Sequence, residues 1–147
     1  MTQENNIYYN ARKTAGMTQA RWSEMLGVSE ETVRRYEAGA IMPADDIVLA
    51  MADLSGLQIL GTWHLRRKSI VAADVLPEVQ RLPLAQAVVQ LLAAVRDFEA
   101  KHHADTLITI AADGRVSPEE EGRFKEVVRD LQPLIQAALQ IDFAEKG

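Results

Sequence analysis

The sequence predicts an all-α protein in which five short helices are followed by a long helical hairpin. Apolar residues recur at intervals of three and four along most of the chain, which is the spacing of one helix face. Glycines and prolines divide these periodic segments into helix-sized pieces. We expect the five helices in residues 1–68, a linker in residues 69–82 and the hairpin in residues 83–147.

The second and third helices are expected on either side of Gly27-Val28-Ser29. Thr18 and Ser29 suit the N-cap position, because a hydroxyl there can accept from a backbone N–H of the first turn. Gly27 suits the left-handed conformation that ends many helices. The inward-facing side chains are then expected to be Trp22, Met25 and Leu26 from the second helix and Val33 and Tyr36 from the third.

Three further helices complete the first part of the prediction. The first helix is expected near Asn5 to Thr14. The fourth, from Asp46 to Leu54, follows Pro43 and ends at Ser55-Gly56, and the fifth runs from Leu57 to about Lys68.

The hairpin begins after Pro83, with one helix expected from Leu84 to Ala112. Gly114 fits a helix C-cap, and Ser117, Pro118 and Glu120 fit an N-cap, a first helical position and a capping box. The last helix carries apolar residues at close to 3.5-residue spacing, and Pro133 is expected to kink it. The repeating residues are Phe124, Val127, Val128, Leu131, Leu134, Ile135, Ala138 and Ile141.

Composition limits the class of protein. The chain has no cysteine, which excludes disulfides and thiolate zinc sites. It shows no basic, apolar leader and no apolar run long enough to span a bilayer, so we expect a cytoplasmic protein without a membrane partner. Residues 1–68 carry eight basic and eight acidic residues, so the net charge of −5 falls entirely on residues 69–147. Nucleic acid, if bound, should therefore meet the first half.

The two helices around Gly27 have the arrangement that a DNA-binding helix-turn-helix needs, in which the second helix enters the major groove. The stretch resembles the phage-repressor-like (XRE-type) helix-turn-helix proteins over roughly residues 5 to 56. The residues that carry the resemblance are Arg12, Gly16, Thr18-Gln19, Leu26-Gly27-Val28-Ser29, Thr32-Val33, Tyr36-Glu37, Gly39 and Pro43.

The resemblance implies a set of contacts. Gln19 would meet the DNA backbone or a base edge, whereas Arg12 and Glu37 would form a partly buried ion pair between the first and third helices. By position after the turn, Ser29 to Glu31 should meet the groove first, with Arg35 one turn further on. The expected DNA-binding residues are Thr18, Gln19, Ser29, Glu30, Glu31, Thr32, Arg34 and Arg35.

These side chains have different expected roles. Arg35 is the expected base reader, because arginine can bind guanine O6 and N7 together. Arg34 is expected to contact either a base or a phosphate. Glu30 and Glu31 could accept from cytosine N4, or could instead stabilise the helix N-terminus through its dipole.

Cations are scarce near this surface. The loop from Ala40 to Asp46 has no basic residue and two aspartates. Arg66-Arg67-Lys68 could reach phosphate, but an interaction with the C-terminal dipole of their own helix is the favoured interpretation. Modest affinity is therefore expected unless two copies bind together.

The sequence predicts no metal site, no cofactor and no enzyme activity. Glu99 and His102 have the Glu-x-x-His spacing of di-iron bundles, but the second such pair is missing, so His102-His103 are interpreted as a solvated helix face. A calcium loop aligned on Gly114 would place Thr109 and Ala111 at its first two ligand positions, which favours a helix end instead. Phosphate-binding glycine loops and nucleophile–base sets are also absent.

Two functions fit these observations. The first is a sequence-specific transcriptional regulator that binds double-stranded DNA as a homodimer or higher homo-oligomer. Two helices alone cover little surface, so the hairpin either packs on the first half or pairs with another copy, and we favour the pairing. The segment IAADGRVSPEE resembles, weakly, the C-terminal helices of prophage-encoded regulators. The second function is a protein-interaction module such as an antitoxin, in which the hairpin holds a partner protein.

Overall fold

The computed structural model describes residues 6–147. Within this range the chain forms nine helices, and its only β pairing is an isolated bridge between Pro83 and Glu145. The all-α fold class is therefore confirmed. The chain divides into two compact units, Met1–Glu78 and Val79–Gly147. None of the described helices is long and apolar enough to cross a membrane.

The first unit contains the five expected helices and one more. Asn5, the expected start of the first helix, lies outside the described residues, and the fourth helix starts one residue earlier than predicted. The helices are α1 (Ile7–Thr14), α2 (Gln19–Leu26), α3 (Glu30–Glu37), α4 (Asp45–Ser55), α5 (Ile59–Lys68) and α6 (Ile70–Val75).

The inward faces of α2 and α3 follow the predicted apolar pattern with one exception. Trp22 and Val33 are each 1% exposed, and Leu26 and Tyr36 are also buried. Met25 was expected to share the inward face of α2, but it is 42% exposed. The buried face of α2 runs through Trp22, Ser23 and Leu26, and position 25 falls beyond its edge.

Helix α6 lies within residues 69–82, which were expected to be a linker. The Ser69 hydroxyl accepts from the Ala72 N–H (3.2 Å) and so caps the helix start. The Arg66 guanidinium donates to the carbonyls of Ala73 and Leu76 at its end. Arg66 therefore stabilises the C-terminal end of α6 rather than that of its own helix. Its partners lie seven and ten residues away, at the end of the next helix, so the three- and four-residue spacing within one helix could not predict them.

A chain of polar side chains joins α1, α5 and α4 in the same unit, running from buried Tyr8 and His64 to Asp45 at the surface. The hydroxyl of Tyr8 lies 2.8 Å from Nδ1 of His64, whose Nε2 lies 3.0 Å from Oδ1 of Asp45. His64 is only 2% exposed, and burial raises the pKa of Tyr8. Lys68, followed by His64, lowers the pKa of Asp45 by hydrogen bonding to its carboxylate. Each buried polar group thus has a partner, as a low-dielectric interior requires.

The second unit is a hairpin of three helices. Helices α7 (Leu84–Ala100) and α8 (His103–Ala111) form one arm and pack along α9 (Glu121–Asp142). The expectation of one continuous helix from Leu84 to Ala112 was wrong. His102 adopts a left-handed conformation with φ of 54°, which no α-helix can accommodate, and it separates α7 from α8.

The break brings His103 into the interior. Its side chain is buried, its Nε2 lies 2.8 Å from Oδ2 of Asp130, and its ring meets Phe98 edge-on. The expectation of a solvated face was therefore wrong for His103, although His102 is exposed. Lys101 Nζ also lies 2.9 Å from Asp130 Oδ2. In residues 6–147 no group of three His, Asp or Glu side chains could hold a metal ion.

The start of α9 differs from the prediction by one turn. The helix begins at Glu121 rather than at Pro118, because residues 118–120 form a turn. Glu120 Oε2 accepts from the Ser117 N–H (3.0 Å), which is half of the predicted capping box, and this bond lowers the pKa of Glu120. Pro133 lies inside α9, and the kink expected there stays a prediction.

Candidate nucleic-acid interface

The turn between α2 and α3 is built from local contacts. Gly27 adopts φ of 67°, and an added Cβ would meet no atom within 4 Å, so backbone conformation rather than space favours glycine here. The Val28 N–H donates to the Ser23 carbonyl (3.1 Å). Ser29 then caps α3, because its hydroxyl accepts from the Thr32 N–H (3.0 Å). These bonds fix the direction in which α3 leaves the turn.

A buried ion pair holds the far end of α3 against α1. Arg12 Nε donates to Glu37 Oε1 (2.5 Å), and Arg12 Nη1 donates to the Met17 carbonyl (2.9 Å). Arg12 is 8% exposed and Glu37 is 2% exposed. The hydrogen bond with Glu37 raises the pKa of Arg12. The ion pair that the resemblance implied is therefore confirmed.

Gln19 belongs to the same network. Its Nε2 donates to Glu37 Oε2 (2.8 Å), and the residue is half-buried at the first position of α2. The structure thus gives this side chain an internal partner that the sequence did not indicate. Its contact with DNA stays a prediction, and the bond to Glu37 would orient the amide for it.

The three expected DNA-binding residues that carry a hydroxyl all take part in helix caps. Thr18 caps α2 by accepting from the Arg21 N–H (3.2 Å). Ser29 and Thr32 lie 2.8 Å apart, oxygen to oxygen. Thr18 and Ser29 are exposed and Thr32 is half-buried. These groups are accessible, and their orientation is already set by the caps.

The acidic start of α3 pairs with one of its two arginines. Arg34 Nη1 lies 3.0 Å from Glu30 Oε1, and Arg34 Nε lies 3.0 Å from Glu31 Oε2. Hydrogen bonding to Glu31, with a smaller effect of Glu30, raises the pKa of Arg34. The spacings of three and four residues were a signal for these pairs in the sequence. The Arg34 guanidinium is therefore paired with carboxylates of its own helix.

Arg35 differs from its neighbour. It is exposed, and in the part of the chain that the structure describes its guanidinium has no hydrogen-bond or ion-pair partner. Its backbone carbonyl accepts from the Ala40 N–H (2.9 Å), which anchors the end of α3 to the following loop. On this helix, Arg35 is thus the cation available to a ligand.

Comparison with known proteins supports this geometry. Residues 9–59 match a family model described as helix-turn-helix. This stretch is a helix-turn-helix domain. The match spans about a third of the chain and runs from α1 to the start of α5. No curated protein and no solved structure matches the chain.

Other cations of the helix-turn-helix domain and the helices next to it are mostly engaged. Arg21 pairs with Glu24 (3.0 Å), Lys68 pairs with Asp45, and Arg66 holds the end of α6. Arg66 and Lys68 thus bond to groups other than the carbonyls that end α5. The scarcity of free cations, expected from the loop after Gly39, thus extends to Arg66 and Lys68 in the last turn of α5, whereas Arg67 beside them is exposed.

Proposed function

We propose that this protein is a sequence-specific DNA-binding transcriptional regulator, of prophage or mobile-element type, that reads the major groove as a dimer. The observation that carries the proposal is Arg35, an exposed guanidinium without a partner among residues 6–147, on the second helix of a helix-turn-helix domain. Helix-turn-helix proteins place this helix in the major groove, where base edges can be distinguished.

In the proposed complex, the side chains of α2 and α3 make different kinds of contact with DNA. Arg35 would bind guanine O6 and N7, because its guanidinium presents two parallel donors. The hydroxyls of Thr18, Ser29 and Thr32 and the amide of Gln19 would set the position of the domain on the phosphate backbone and base edges. Arg34 would contribute only after its ion pairs with Glu30 and Glu31 rearrange.

Dimerisation is part of the proposal because one domain offers few charge contacts. Each neutralised phosphate adds to affinity through counterion release, and Arg34, Arg21 and Lys68 are already paired with carboxylates. Two linked domains on neighbouring half-sites gain affinity without new contacts within either one. We propose that the second unit, residues 79–147, joins the two copies.

The test is selection of bound sequences from a pool of random duplexes by the full-length protein, its Arg35→Ala variant and its Arg21→Ala variant. We expect Arg35→Ala to lose preference for one guanine in each half-site, and Arg21→Ala, a matched arginine on α2, to keep the preference. A uniform loss of affinity in Arg35→Ala would assign that side chain to a phosphate. Absence of any selected sequence would refute the regulator.

A second candidate is a protein-interaction module such as an antitoxin, with the partner protein on α3 instead of on the hairpin that the sequence analysis considered. The observation that favours it is the acidic start of α3, where the Glu30 and Glu31 side chains are 47% and 67% exposed and would face a phosphate backbone. A partner protein with a basic surface would fit these carboxylates. Charge reversal of both glutamates would weaken this partner, whereas it would strengthen binding to DNA.

A further inference from the structure

The first three turns of α7 carry an apolar surface that the other helices of the second unit leave uncovered. Leu84 is 43% exposed, Val88 39%, Val89 66% and Leu92 47%. The face of α7 toward α9 is occupied separately, with Ala87 fully buried. We call the uncovered surface the α7 stripe, and it consists of Leu84, Ala85, Val88, Val89, Leu92 and Ala93.

The stripe has no charge within it. Between Arg81 and Arg96 the sequence contains no Asp, Glu, Lys or Arg. A solvated helix face normally carries charged residues, and a concentrated apolar patch marks an interaction surface. Fourteen consecutive uncharged residues in a chain that is 25% charged therefore indicate that this face contacts another protein surface.

The pattern of the stripe indicates which surface that is. Residues four apart form a ridge along a helix. One ridge reads Leu84, Val88, Leu92, and the adjacent ridge reads Ala85, Val89, Ala93. Each ridge has the same order of residue types whether it is read from the N-terminus or from the C-terminus. A surface with this property is complementary to an antiparallel copy of itself, which is what a two-fold symmetric interface requires.

We propose that a second copy of this chain covers the stripe, with the two α7 helices antiparallel and a two-fold axis between Val88 and Val89. This register places Leu84 against Ala93 of the second copy and Leu92 against its Ala85. A large side chain then faces a small one at both ends, as dense packing requires. The contact would supply the dimer on which the proposed function rests.

The charges at the two ends are compatible with this register. Arg96 would lie near Arg81 of the second copy, which already pairs with Glu145 (3.5 Å). The Glu145 side chain is 53% exposed, so it can accept from both arginines. The apolar stripe is thus bounded at each end by charges that can be balanced across the interface.

Cysteine cross-linking and sedimentation test this interface directly, since the natural chain has no cysteine. On mild oxidation we expect Val88→Cys to form a covalent dimer, while Gln86→Cys, an exposed residue of α7 outside the stripe, stays uncross-linked. We expect sedimentation to show a dimer for the natural chain and Gln86→Glu, and a monomer with unchanged helicity for Val89→Glu. A monomeric natural chain, a dimeric Val89→Glu or equal cross-linking at both cysteines would overturn the proposal.

DNA binding separates this inference from the proposed function. On a duplex with two half-sites, Val89→Glu should bind about 100-fold more weakly than the natural chain, and on one half-site equally well. A stable dimer that binds no DNA would refute the regulator and leave the interface intact. A natural chain that binds DNA as a monomer would refute the interface and leave the helix-turn-helix domain in its role.

Discussion

The Nε2 atom of His103 lies 2.8 Å from the Oδ2 atom of Asp130, and this contact ties the bend between α7 and α8 to the middle of α9. His103 follows directly on His102, whose left-handed backbone makes the bend. Lys101 reaches the same oxygen from the other side of the bend. Asp130 thus contacts both of these polar side chains at the helix junction. Without it, the buried imidazole of His103 would lose this hydrogen-bond partner.

Asp130 should make the stability of the second unit pH-dependent. His103, followed by Lys101, lowers the pKa of Asp130 from 3.8 to about 2. A lowered folded-state pKa stabilises the fold above the unfolded value, and the stabilisation is lost as pH falls from 3.8 toward 2. We expect Asp130→Asn to lower the urea midpoint at neutral pH, with the difference from the natural chain shrinking at about pH 3.

Asp105→Asn is the matched control, because the Asp105 carboxylate is 80% exposed and faces the exposed His102 at 3.6 Å. Its urea midpoint should stay close to that of the natural chain at every pH. A difference for Asp130→Asn that did not change with pH would contradict the assigned role of the carboxylate.

The ion pair of Arg12 and Glu37 should be costly to break from one side. Arg12→Met would leave the Glu37 carboxylate buried with Gln19 as its one side-chain partner among the described residues, at a cost of about 3 kcal/mol in the free energy of unfolding. The double variant Arg12→Met/Glu37→Leu should recover most of that loss, since no unpaired charge remains. Chemical denaturation of the full chain measures both, and a double variant less stable than the single one would contradict this interpretation.

Ser29 should separate capping from DNA contact. Ser29→Ala removes the acceptor for the Thr32 N–H and should lower the free energy of unfolding by about 1 kcal/mol. Ser29→Asp keeps a capping oxygen and should restore stability, but its negative charge at the groove should weaken DNA binding. Chemical denaturation and DNA-binding titrations on both variants measure these two effects. If the Ser29→Asp variant binds DNA as tightly as the natural chain, Ser29 lies away from the phosphates.

Glu30 and Glu31 should restrain DNA binding through Arg34. Glu30→Gln/Glu31→Gln would release the Arg34 guanidinium from two contacts of 3.0 Å and remove two negative charges from α3. We expect affinity to rise on the order of tenfold, with the salt dependence steeper by about one counterion. Fluorescence anisotropy at several salt concentrations measures both quantities.

The control for that experiment is Glu24→Gln, which releases Arg21 from a comparable pair on α2. A smaller change in DNA affinity for Glu24→Gln would show that the carboxylates that weaken DNA binding are those on α3. Unchanged affinity and salt dependence in the double variant would mean that Arg34 stays away from DNA.

Local patterns were enough to predict most of the first five helices. Gly27 and Ser29 act through their own backbone conformation and hydroxyl, so their roles as helix end and N-cap could be predicted without knowing any neighbour in space. The Glu30 and Glu31 pairs with Arg34 were also within reach, since residues three and four apart on a helix are neighbours. The ion pair between Arg12 and Glu37 needed the family resemblance, because 25 residues separate the two.

The sequence by itself determined the all-α class and the helix-turn-helix, because helix periodicity, caps and turns depend on contacts within a few residues. The residues expected to face DNA stay a prediction. Only the tertiary structure decided that His103 is buried, that α7 and α8 are separate, and that Arg66 holds α6 in place. Folding brings Asp130 to His103 and the Ala73 carbonyl of α6 to Arg66, and the spacing of these residues in the sequence does not predict either contact. The available guanidinium of Arg35 emerged in the same way, once the partners of the surrounding cations were known.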